Sequence, residues 1–201
     1  VLDAEDGPRV RMVADDPEQA LRWVAAATVL MPVRRALDVS FKVFCGNASK
    51  ARQRVAAVPR ALRRAPGPPA PDTFLLDAAT GACSEVATSA RAAFWVGVFA
   101  GEADPYDCLD AVELAEGLAA GYAGEPGDAW VTALSVTLPP GSALDHDAVD
   151  HEALIRWIAG AAPDARAGYG RAVLERLVDA PLSREALVGL DAALAGELEP
   201  G

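Results

Sequence analysis

Apolar positions come in short alternating runs through residues 1–82, and from Ser84 onward they recur at the three-to-four spacing of a helix. "PRVRMVA" (8–14) sets Val10, Met12 and Ala14 against Arg9 and Arg11, which predicts a short strand with one wet face. "DDPEQALRWVAAATVLMPVRRAL" then predicts a helix, with Asp16 as N-cap, Pro17 at the first helical position and acids in the first turn. Leu21, Val24, Ala25, Thr28 and Val29 share one side of it, and Pro32 ends or kinks it. "LDVSFKVFCGN" (37–47) is the most strand-like stretch: Val39, Phe41, Val43 and Cys45 face one way, while Ser40, Lys42 and Phe44 face the other. On that alternation Phe41 and Val43 belong in the core of a central strand. "RQRVAAVP" (52–59) and "TFLLDAATG" (73–81) predict further strands, separated by the loop "RAPGPPAP" (64–71).

The second half reads as helices. "SARAAFWVGVFAG" (89–101) is apolar nearly all round, which predicts a buried helix in which Trp95 and Phe99, four apart, pack together. "DPYDCLDAVELAEGLAAGY" (104–122) opens with an Asp cap followed by Pro. "GDAWVTALSVTL" (127–138) is open to strand or helix, with its neighbours favouring helix. Residues 145–162, 165–180 and 183–198 give three more amphipathic helices. The expected fold class is therefore α+β, with a small sheet of three to four strands and packed helices in 1–82. A helical bundle follows in 83–201, the two parts packed as one compact unit.

Composition narrows the class without changing it. Hydrophobic residues make up 52% and charged residues 23%, a globular balance. No uncharged apolar run of about 18 residues and no signal sequence is visible, so no membrane span and a cytoplasmic location are expected. Cys45, Cys83 and Cys108 are odd in number and form no CxxC pair, which fits reduced thiols, mostly buried. The opening "VLDAEDG" has no Met, as expected of a segment of a longer polypeptide.

Charge does change the picture. Residues 34–64 hold nine bases against one acid, Asp38, in a chain of net charge −11. Arg52, Arg54, Arg60, Arg63 and Arg64 of that block form a candidate interaction surface. Intramolecular pairing with the acids of 104–122 is one use for it, and recruitment of an acidic partner is another. Nucleic-acid binding is a third reading, with Phe41 or Phe44 stacking bases if exposed. The alternation that buries Phe41, and the acid excess downstream, weigh against it.

Other chemistry is sparse. In "DHDAVDHE" (145–152) a continuous helix would stack His146 on Asp150 and Asp147 on His151, a candidate metal site for a hydrolase or nuclease. The two His are five apart, so the pattern of zinc hydrolases is missing, and a solvated helix start capped by Asp145 or Asp147 explains the same residues. Asp107, Asp110, Glu113 and Glu116, three apart, fan around a helix instead of converging. "AGYGRA" (167–172) lacks the remainder of a phosphate loop, so no cofactor is expected.

Three stretches, "RWVAAATVLMPVRRALDVSFKVF" (22–44), "RVAAVP" (54–59) and "DPYDCLDAVELA" (104–115), resemble the middle domain of the bacterial GTPase-associated proteins. A strand ending in Asp77 and a helix around Trp95 lie between them, so the resemblance spans roughly 10–125. It implies a non-enzymatic structural and interaction module of a multi-domain protein, working with a GTPase encoded nearby in a bacterial conflict or signalling system. Its partners would be that GTPase and the other domains of the same polypeptide. It also implies that "SFKVF" is the central core strand, and it carries over no catalytic residues.

Overall fold

The computed structural model describes residues 2, 7–62, 72–85, 87–100, 104–138, 150–178 and 180–195. The fold is α+β, with four strands in the N-terminal part and most helices in the C-terminal half. The chain divides into two compact units, Val1–Ala93 and Phe94–Gly201.

In the first unit the strands are β1 (Arg9–Ala14), β2 (Phe41–Lys42), β3 (Val55–Pro59) and β4 (Thr73–Asp77). They form one sheet in the order β2-β3-β1-β4, parallel throughout. Parallel neighbours require crossovers. The link from β1 to β2 is α1 (Pro17–Val29) followed by the short α2 (Val33–Leu37). Asp16 caps α1 by accepting from the Gln19 N–H at 2.8 Å, with Pro17 next, as the sequence predicts. Pro32 stands just before α2, and the helix does not continue through it.

One face of the sheet carries Val10, Met12 and Ala14 of β1 with Val55 and Ala57 of β3, closed by Ala20 and Val24 of α1. That inward stripe is narrower than the pattern predicts, because Leu21 lies exposed. Ala56 lies on the other face, against Cys45 and Ala51. With cover on both faces over the middle of β1, Arg11 is buried where the alternation predicts exposure, while Arg9 at the strand's start stays exposed. Its guanidinium donates to the Ala51 carbonyl at 3.2 Å and the Gln53 carbonyl at 3.4 Å, so the buried charge meets backbone oxygens.

The largest correction concerns residues 37–47. Their strand is two residues long and stands at the edge of the sheet; the interior strands are β3 and β1. Phe41 stands opposite Val55 and shares its face, yet α1 packs on β1 and β3, one strand short of it. Phe41 is consequently 48% exposed. Val39 and Val43 do pack against the core.

The second unit consists of helices, beginning within α3 (Ala90–Ala100) and continuing with α4 (Pro105–Ala119) and α5 (Pro126–Thr137). Then follow α6 (His151–Gly160), α7 (Pro163–Val178) and α8 (Arg184–Ala195). The ambiguous segment 127–138 is thus helical. Cys108, Ala111, Val112, Ala115 and Leu118 form the inward stripe of α4, which packs on α5; α5 packs on α6 and α7, and α6 on α8. Trp95 and Trp157 are fully buried, and the Trp157 indole N–H donates to the Leu118 carbonyl at 3.4 Å. Helix α3 buries one face only, through Trp95 and Val98, and leaves Val96 exposed. Trp95 meets Phe94 edge to face at 4.9 Å between ring centroids. Among the described residues no helix is long and apolar enough to cross a membrane.

Candidate interaction surface

Residues 33–52 combine two features that a folded surface rarely leaves together. Val33 and Leu37, four apart and so on one side of α2, are 58% and 81% exposed. Phe41 follows on the edge strand, and Phe44 is 55% exposed just beyond it. The turning-out of Phe44 has a local cause. Lys42 stands opposite Ala56, but the next bond across this edge runs from the Cys45 N–H to the Ala57 carbonyl at 3.0 Å. A regular parallel ladder would bring the Phe44 N–H to that carbonyl, so this side carries one extra residue, a bulge-like excursion that breaks the alternation.

The same stretch of chain carries exposed cations. Arg34, Lys42, Lys50 and Arg52 are exposed, and among the described residues none of the four makes an ion pair. Asp38 is the one acid between Arg34 and Leu62.

The other candidate cations of the basic block have different fates. Arg54 is half-buried beside β2, where its backbone N–H donates to Ser40 Oγ at 3.0 Å. Arg60 is committed within its own unit, donating through Nε to Asp15 Oδ1 at 2.7 Å and through Nη2 to Asp77 Oδ1 at 2.5 Å. Asp15, Arg60 and Asp77 lie at the carboxyl ends of β1, β3 and β4, and the three charges satisfy one another there. The Arg60 hydrogen bond, helped by the Thr80 and Ala79 N–H groups, holds the Asp77 carboxyl down at about 2. Arg63 and Arg64 lie outside the described residues.

The candidate metal cluster is only partly described. His146 and Asp147 lie outside the described residues. Asp150 is the extended N-cap of α6, which begins at His151, so the cap is Asp150 and neither Asp145 nor Asp147. One Asp150 oxygen accepts from the Glu152 and Ala153 N–H groups, and the other from Arg156 Nη2 at 3.2 Å. Among the described residues no group of three His, Cys, Asp or Glu could hold a metal. The acids of α4 lie off its buried stripe, as their fan predicts. Burial pushes the Cys45 and Cys108 thiols up, away from nucleophilic character.

Sequence reasoning missed a network around Asp128, whose side chain is 6% exposed. Arg156 grips this carboxylate with two nitrogens, Nη2 at 2.8 Å and Nε at 3.1 Å from Oδ1, and the Tyr122 hydroxyl donates to Oδ2 at 2.7 Å. Burial, then the Asp128 hydrogen bond, push the Tyr122 pKa up. The Tyr122 ring lies so close to Gly160 that a Cβ there would stand 2.8 Å from Cε2. Nothing in "GDAWVTAL" marks Asp128 as buried, since a helix's first turn normally puts its acid in water.

Residues 1–81, which include the whole parallel sheet, match the family model of GTPase-associated protein 1, middle domain. The stretch 104–115, which carried part of the resemblance, lies beyond that match. No curated protein and no solved structure matches the chain.

Proposed function

We propose that the chain is a non-enzymatic interaction module of a larger polypeptide, and that residues 33–52 are the face by which it engages a protein of a GTPase-centred bacterial system. The carrying observation is the exposure of Val33, Leu37, Phe41 and Phe44 within twelve consecutive residues. Large apolar side chains gathered at one place on a surface mark binding faces more often than chance exposure does. The match of residues 1–81 to a GTPase-associated family model supports this reading and makes the GTPase the first partner to try.

The test is capture of the purified GTPase encoded beside the gene, using wild-type protein and the double variant Leu37→Asp with Phe44→Asp. Both positions are exposed, so circular dichroism should show the variant folded. Capture by wild type and its loss in the variant supports the reading. Equal capture by both proteins, or capture by neither, overturns it.

A further inference from the structure

We infer that the occupant of this face is a short acidic segment of a protein partner, with aliphatic or aromatic side chains set between its carboxylates. The inference rests on reading residues 33–52 as a protein-docking face. Arg34, Lys42, Lys50 and Arg52 supply four exposed cations with no ion-pair partner among the described residues. The excess is local, because the whole chain carries −11. An acidic segment complements this patch, whereas a neutral one leaves the cations idle and a basic one is repelled. The apolar groups would supply affinity, and the cations would steer encounter and fix register.

Two features select the mode of binding. The edge strand is two residues long and ends on Lys42, which guards it against addition of a further strand. Recognition therefore falls to side chains. Leu37 and Val33 offer no stacking face to a base, and the negative chain as a whole repels a long polyanion more than a short acidic peptide. Exposure of Phe41 and Phe44 does remove one sequence argument against nucleic acid, so an oligonucleotide belongs in the test.

The experiment selects binders from a random dodecapeptide phage library on the purified chain. Fluorescence anisotropy then follows the enriched peptide, the same peptide with Asp and Glu changed to Asn and Gln, and an oligothymidine. We expect enriched sequences rich in both acids and large apolar residues. Neutralising the peptide should weaken binding by about tenfold, consistent with several exposed pairs each of small worth. The variant combining Arg34→Glu, Lys42→Glu and Arg52→Glu should lose the peptide while staying folded. No enrichment, enrichment without excess acid, or tighter binding of the oligothymidine overturns the inference. The GTPase capture separates the two ideas. Loss with the Leu37 and Phe44 variant but not with the charge variant sinks the acidic segment and leaves the docking face. Insensitivity to both variants sinks the docking face itself.

Discussion

Arg60, just past the end of β3, reaches Asp77 at the end of β4 although β1 lies between those two strands. The pair ties together strands that share no backbone hydrogen bond, and Asp15 beyond β1 completes the clamp. A charge the sequence offered to a partner is thus used at home. Asp77 is held at about 2, below its unfolded value near 4, so its contribution is present above about pH 4 and is lost as pH falls through about 2. Asp77→Asn should lower the Tm by a few degrees at pH 7, and the gap from wild type should close across that acid window. A Tm series against pH measures it. A gap that persists below pH 2 would place the effect elsewhere.

Phe41→Ala should cost under about 1 kcal/mol, because a half-exposed edge residue loses little buried area. Met12→Ala, in the middle of β1, should cost about 2–5 kcal/mol. Urea unfolding of both variants measures the contrast, and the opposite ranking would put the central strand at 41–42.

The Asp128 network predicts an unequal pair of variants. Arg156→Met leaves a buried carboxylate facing only Tyr122 and should cost about 2 kcal/mol, below the about 3–5 kcal/mol of a fully buried pair because Arg156 is half exposed. Tyr122→Phe should cost about 1 kcal/mol. The two should couple in a double-mutant cycle. The raised Tyr122 pKa favours folding fully below its unfolded value near 10, so wild type should lose stability as pH climbs above about 10 and Tyr122→Phe should lack that slope.

Two glycines separate close approach from plain helix propensity. Gly160→Ala puts a methyl against the Tyr122 ring, which the Asp128 hydrogen bond holds in place, and should destabilise. Gly168→Ala, exposed within α7 with nothing near the added carbon, should stabilise by about 0.5–1 kcal/mol. Thermal melts of both decide it.

What the sequence made legible was what short-range pattern controls. Asp16-Pro17 and Asp104-Pro105 mark the starts of α1 and α4, and the runs at 9–14, 55–59 and 73–77 are strands as read. The misread features depend on distant partners. Nothing in "LDVSFKVF" tells that β1 and not this stretch is flanked on both sides, or that α1 stops one strand short of Phe41. Arg11 looked wet until the chain at 51–53 folded its carbonyls over it. The basic block was visible as charge, but which of its cations find an acid was not: Arg60 turned inward to Asp15 and Asp77, while Arg52 has no ion pair among the described residues.

The strand order also governs how this unit can come into being. β1 is the first strand in the chain yet lies inside the sheet, and its two neighbours are the stretches beginning at Val55 and Thr73. Among the described residues no two of the four strands are joined as a hairpin, so each pair in the sheet must close a long loop before a ladder bond rewards it. During synthesis β1 would wait unpaired until the stretch beginning at Val55 had left the ribosome, and with one edge open until Thr73–Asp77 followed. The helical unit, built from contacts between helices close in sequence, carries no such delay. Refolding should therefore show a fast phase in helix signal and a slower one in the sheet, with β1 the segment most exposed to misassociation in the interval.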